Sequence, residues 1–192
     1  NTLDLFNDNG NRTVSMQQDT TGNAKMKFQK NDGTVTTTID ANLGGILFGT
    51  DTAAANTLDD YEEGTFTAVV TMGSGTATVN SSVNTLYYTK VGNLCTIGGQ
   101  FQISSVSSPS GDLKLTLPFT VKSGEYNPVN FAGAEGLNIT AGVSLTGFTN
   151  SNSTEFYLQQ FSATTGTAAY GLYIAELSAD GGFIASGCYR VA

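Results

Sequence analysis

Gly111-Asp112-Leu113-Lys114-Leu115-Thr116-Leu117-Pro118-Phe119 alternates cleanly between apolar and other residues. Leu113, Leu115, Leu117 and Phe119 therefore share one face of an extended segment, and that face is a candidate for burial. Gly111-Asp112 opens the run. Pro118 marks an edge or a strand end, since proline has no N–H to give to a ladder. Working outward, similar segments lie on both sides. Residues 66–72 read as a strand broken by Gly73-Ser74-Gly75, and residues 84–90 and 94–104 flank the tight corner Val91-Gly92-Asn93. Residues 137–148 carry Leu137, Ile139, Val143 and Leu145, while residues 155–163 set Phe156 and Leu158 against Tyr157 and Phe161. Residues 170–177 and 183–191 complete the series around Asp180-Gly181-Gly182. About eight strands at this spacing predict an all-β body over residues 58–192, a β-sandwich or jelly roll. Convincing helix signatures are missing.

Residues 1–57 are thinner and weakly repetitive. Asn9-Gly10, Gly22-Asn23 and Asp32-Gly33 punctuate them, about eleven or twelve residues apart. Between these turn signals lie the alternating runs Thr13-Val14-Ser15-Met16, Lys25-Met26-Lys27-Phe28 and Thr34-Val35-Thr36-Thr37-Thr38-Ile39, which is hairpin patterning. Each run offers only one or two large apolar side chains, too few to offset the entropy of ordering it alone. Such a segment needs partner chains. Intertwined copies around a shared axis would supply them, giving a slender repetitive β stalk. Leu43-Gly44-Gly45-Ile46-Leu47-Phe48-Gly49 is a denser apolar patch, and residues 52–56, with Ala53-Ala54-Ala55, read as a helical turn or a linker.

Composition narrows the chemistry. Of 192 residues only 12% are charged, while Gly accounts for 23, so polar coverage falls to hydroxyls and amides, as sheet surfaces allow. Eleven Phe and eight Tyr supply a core and argue against wholesale disorder. The net charge is −8 and the eight basic residues are scattered, which disfavours nucleic acid and anionic membrane surfaces. No apolar run reaches transmembrane length, so no membrane insertion is expected. The chain begins Asn1-Thr2-Leu3-Asp4, without Met and without a basic or apolar leader, and reads as a piece of a longer protein. Two cysteines, Cys95 and Cys188, sit in strand-like segments and read as half-buried free thiols. Histidine is absent, which removes the commonest general base and metal ligand.

The segment Leu58-Asp59-Asp60-Tyr61-Glu62-Glu63-Gly64-Thr65-Phe66-Thr67 stands between the thin repeats and the β body. With Tyr88-Thr89-Lys90-Val91-Gly92-Asn93-Leu94, Leu115-Thr116-Leu117-Pro118-Phe119 and Ser186-Gly187-Cys188-Tyr189, it resembles a domain found at the C-terminal ends of tailed-bacteriophage fibres, including marine and cyanophage fibres. The resemblance spans residues 58–192, and the acidic motif is its most specific piece. Phe66 stands where family members often carry Trp, and Cys95 and Cys188 stand where the pattern has apolar or hydroxyl residues. The resemblance implies a homotrimeric head of β-sandwich type (58–192) on an intertwined stalk (1–57). It implies a place at the fibre tip of a virion, beside other tail proteins, and a role in attachment to the host cell.

Asp59, Asp60, Glu62 and Glu63 could be read as a paired-carboxylate glycosidase site or an oxygen-rich calcium loop. Carboxylates so close in sequence are more often a solvated turn, and the spacing fits no EF-hand. With Tyr61 they are expected to form a neck, capping strands or meeting Lys90 or Arg190 of the same or a neighbouring subunit. No catalytic residue, metal or cofactor is expected. Gly44-Gly45 and Gly98-Gly99 lack the Lys-Ser/Thr of a phosphate loop. The binding candidates lie in three loops, 122–131, 148–157 and 166–173, which place aromatic faces beside amides and hydroxyls, the mixture that sugars need. Tyr126, Asn127, Phe148, Asn150, Asn152, Tyr157 and Tyr170 are the residues expected to meet a bacterial surface glycan or lipopolysaccharide. A purely structural spike or connector, and a polysaccharide depolymerase, are the rival readings.

Overall fold

The computed structural model describes residues 2–18, 20–54, 57–137, 144–161, 170–171 and 180–192, with the backbone alone for Ala134, Tyr170 and Gly171. Among these residues there is no α-helix, and the architecture is all-β. Contacts divide the chain into two units, Asn1–Tyr61 and Glu62–Ala192.

The first unit is an antiparallel meander: β1 (Thr2–Phe6), β2 (Arg12–Gln18), β3 (Ala24–Gln29), β4 (Val35–Asp40) and β5 (Gly45–Phe48), paired in that order. Gly10, Gly22 and Gly33, at the expected turns, take positive φ of 77°, 93° and 84°, which glycine adopts without strain. The backbone ladders of this meander close within one chain. Glycine-turned hairpins satisfy their own N–H and C=O groups and need no partner to do so. One face of the meander buries Ser15, Thr38, Asp40 and Leu47. Asp40 meets Lys25 at 2.7 Å and accepts the N–H groups of Asn42 and Leu43 at 3.0 and 3.4 Å. The chain after β5 folds back on this face, since Asp51 and Thr52 share a small cavity with Thr38, Asp40 and Leu47. Leu58 then exchanges both backbone bonds with Ile46. A Cβ at Gly45 would collide with Thr57 and the Leu58 carbonyl, so only glycine lets the two segments approach. The other face carries two rows across the strands: Leu3, Met16, Met26, Ile39 and Ile46, then Leu5, Val14, Phe28, Thr37 and Phe48.

The second unit holds β6 (Tyr61–Thr67), β7 (Val70–Thr71), β8 (Ser74–Val79), β9 (Thr85–Val91), β10 (Leu94–Ser110), β11 (Lys114–Thr116), β12 (Pro128–Glu135), β13 (Ser144–Thr149), β14 (Glu155–Phe161), β15 (Tyr170–Gly171) and β16 (Gly182–Arg190). They form one eleven-stranded sheet in the order β6-β9-β10-β16-β12-β13-β14-β11-β7, with β8 also on β10 and β15 on β14. Leu86, Phe101, Ile103, Leu115, Val129, Phe156, Leu158 and Phe183 come from strands along the whole of this path and join one buried cluster. The sheet must therefore curl so that its halves face each other, as the layers of a sandwich do. Phe131 ties the halves together, 5.2 Å from Phe183 and 6.1 Å from Phe156 between ring centroids.

Among the described residues this unit has eleven strands, where about eight were expected. Gly73-Ser74-Gly75 is not only a break, because β8 starts at Ser74 and pairs with β10. β10 runs on to Ser110, and β12 occupies the second half of a stretch read as a loop. The strands read over 137–148, 155–163 and 170–177 lie partly outside the described residues.

Candidate functional site

The four motifs that carried the family resemblance meet in space within the second unit. Gly64 leaves room for the Tyr88 ring, which would lie 3.0–3.1 Å from a Cβ there. The Tyr88 hydroxyl donates to Glu62 Oε1 at 2.6 Å, and this bond to a carboxylate raises the phenol's pKa. Tyr88 packs edge-on against Phe119, 5.1 Å between centroids, and Lys90 Nζ sits 5.7 Å above the Phe119 ring. The Tyr189 hydroxyl donates to the Phe119 carbonyl at 3.2 Å and accepts its N–H at 3.3 Å. Burial pushes the Tyr189 phenol far above its ordinary value, so it stays protonated. The arrangement holds β6, β9, the segment after β11 and β16 together. It is a packing device.

Asp59, Tyr61, Glu62 and Glu63 are exposed and Asp60 is half-buried. Glu62 is the member of this group bonded to Tyr88. Within the chain Arg190 forms an ion pair with Glu125 at 3.2 Å. Glu125 is brought there because the Lys122 N–H bonds to the Arg190 carbonyl. Among the described residues no cluster of three or more His, Cys, Asp or Glu is placed to hold a metal.

A different constellation lies on the outer face of the sheet. Along β14, Phe156, Leu158 and Gln160 point into the core, so Glu155, Tyr157 and Gln159 point out. Along β13, Gly147 and Thr149 are buried and Phe148 points out. Register sets Phe148 beside Tyr157, and Tyr157 beside Lys114 of β11. Tyr126, just before β12, completes the line. Tyr126 and Phe148 are 6.3 Å apart at 42°, and Phe148 and Tyr157 are stacked at 5.2 Å and 13°. Lys114 Nζ lies 4.9 Å from the Tyr157 centroid, within cation–π range. The same ammonium pairs with Glu155 Oε2 at 3.4 Å, while Thr71 donates to Glu155 Oε1 at 2.6 Å. Burial alone would lower the Lys114 pKa, but Tyr157 and Glu155 outweigh it and raise the value, so the cation persists.

This row joins three expected binding residues that the sequence left on two loops, Tyr126 on 122–131 and Phe148 and Tyr157 at the two ends of 148–157. Phe148 stacks on Tyr157, and the Lys114 ammonium also contacts it. Tyr126, 65% exposed, presents the most open ring. Asn127 is occupied structurally, since its backbone N–H and its side-chain amide both donate to the buried Thr149 hydroxyl, at 3.0 and 3.2 Å. Asn150 and Asn152 lie in the tight connection from β13 to β14, where Asn152 takes a left-handed φ of 53°. Tyr170 pairs with Gln160 through the backbone, and its side chain lies outside the described residues. Lys114, Glu155 and Thr71 are additions that sequence reading missed.

Cys95 is buried and Cys188 exposed, and both thiols are free. Cys95 stands opposite Tyr189 and Cys188 opposite Thr96, so the two thiols point to opposite faces of the sheet and cannot bridge in this register.

Neither a family model nor a curated protein matches the chain. Among solved structures it is similar to the Dettilon tailspike protein (gp208), with a TM-score of 0.58 and 23% identity over 68% of this chain and 24% of that one. The chain thus spans about a quarter of the tailspike's length. At this identity the likeness shows a common fold.

Proposed function

We propose that the chain is part of a bacteriophage tail and attaches the virion to its host by binding a surface glycan without cleaving it. The observation that carries this reading is the outward row Tyr126–Phe148–Tyr157–Lys114, with hydroxyl and carboxylate groups at its end. Aromatic rings take the apolar faces of sugars, and a fixed Lys114–Glu155 pair can donate to and accept from neighbouring hydroxyls. The fold shared with a phage tailspike supports a place on the tail.

An array of bacterial lipopolysaccharide and capsular oligosaccharides tests the reading. The purified chain is expected to bind a restricted set of these. Tyr126→Ala and Tyr157→Ala should each weaken binding by about 0.5–1.5 kcal/mol, roughly two- to tenfold. Saccharide binding that ignores both substitutions would move the site elsewhere, and release of new reducing ends would make the protein a depolymerase. No saccharide binding at all would favour a connector.

A further inference from the structure

The face of the meander that buries Ser15 and Asp40 also carries Asp4, which stands opposite Ser15. At one end of this face Asp51 and Thr52 border the small cavity beside Asp40. At the other end, by the turns that follow β1 and β3, lies a larger cavity of about 450 Å³. Its walls include Asp4, Phe6, Arg12, Gln29, Asn31 and Asp32. These side chains fix one another. Asn7 Nδ2 donates to Asn31 Oδ1 at 2.8 Å and ties the two turns together. Arg12 Nε donates to Gln29 Oε1 at 2.9 Å, and Gln29 Nε2 donates to the Gly33 carbonyl at 3.0 Å. Arg12 Nη1 reaches Asp4 Oδ2 at 3.5 Å. The Phe6 side chain is 60% exposed.

We propose that this cavity is a binding site in its own right and takes one uncharged pyranose ring. Its volume falls within the roughly 300–1,000 Å³ of small-molecule sites. Its polar groups are of both kinds. Arg12 gives its Nε–H to Gln29 and one Nη1–H to Asp4, which leaves the rest of the guanidinium fork to donate to a ligand. Thr34 gives Asp32 its N–H and its hydroxyl, which hold the carboxyl below its ordinary range, so Asp32 is ionised and accepts at neutral pH. Sugar hydroxyls both donate and accept, so they can use the two together. Charge narrows the class further. Two carboxylates, Asp4 and Asp32, stand against one guanidinium in a chain of net charge −8, which opposes a phosphate or a uronate. Arg12 in turn opposes a simple cation. The Phe6 ring supplies the apolar surface on which the C–H face of a sugar rests. Because the polar groups are already held in place, a ligand orders little on binding. The site lies in the first unit and shares no residue with the aromatic row, so it stands or falls apart from the function proposed above.

The test is titration of the whole isotope-labelled chain with the methyl glycosides of glucose, galactose, mannose and rhamnose, followed by amide NMR. At least one should bind with a Kd on the order of 1 mM and move the amide signals of Arg12, Asn31, Asp32 and Gly33. Phe6→Ala should weaken that binding about fivefold. Arg12→Lys should weaken it about tenfold, since lysine keeps the charge and loses the planar fork. Tyr126→Ala should leave it unchanged, which separates this site from the aromatic row. The methyl glycoside of glucuronic acid should bind more weakly than that of glucose. Absence of shifts with all four sugars overturns the proposal, as do shifts confined to the second unit. Tighter binding of the uronate, loss of binding in Tyr126→Ala, or an affinity that survives both Phe6→Ala and Arg12→Lys overturns it too. If a variant fails to fold, the shift pattern of the unaltered chain decides.

Discussion

Removing the Tyr189 hydroxyl would strip Phe119 of the partner for both its N–H and its carbonyl in a partly buried setting. Tyr189→Phe is expected to cost about 1–2 kcal/mol, read as a lower urea midpoint with an unchanged slope. Asp40 sets a pH dependence. Its hydrogen bond from Lys25 holds its carboxyl below the ordinary value of 3.8 against the opposing effect of burial. A depressed folded pKa means that the ionised form stabilises the fold. That contribution is complete above the unfolded value near 3.8 and is lost as pH falls through the lower folded value. Asp40→Asn should therefore flatten the acid limb of the stability profile, measured by thermal melts across that range. The thiols give a simpler test. Burial raises the Cys95 pKa and hides the sulfur, while Cys188 is exposed. A thiol reagent should modify Cys188 in the folded protein and both cysteines in denaturant, and reducing agent should leave the melting temperature unchanged.

Individual strands show how much of the fold could be read in advance. β11 and β14 were legible because their apolar residues alternate and each alternate residue is buried: Leu115, Phe156 and Leu158 are fully inside. Leu158→Ala should cost about 2–5 kcal/mol in equilibrium unfolding, as for other large-to-small changes in a tight core. β8 was not legible. Ser-Gly-Thr-Ala-Thr-Val carries a single large apolar side chain, and its extended state comes from pairing with β10. β12 was hidden for a similar reason, since Val129 and Phe131 occupy a stretch otherwise read as a binding loop. The candidate site follows the same logic. Tyr126, Phe148 and Tyr157 stood out singly as aromatic residues near polar ones. Their union depends on the register between β13 and β14 and on where the chain enters β12, which no local pattern fixes. Lys114 and Glu155 gain their meaning only once β11 is placed beside β14.

At the scale of the molecule, the residues most recognisable in sequence and the residues of the aromatic row are different sets. The acidic motif, Tyr88, Phe119 and Tyr189 lock the ends of the curled sheet together, which leaves its outer face free to vary without disturbing the fold. β10 has a further consequence. Its seventeen residues pair with β9 and β16 over the first half and with β8 over the second. A strand shared in this way couples regions that would otherwise open separately, so the second unit should lose its structure in one concerted step. Amide hydrogens of Ile97 and Val106 are expected to exchange through the same global opening, with equal sensitivity to denaturant. A pull applied across such a unit would meet a single all-or-none barrier in place of stepwise yielding.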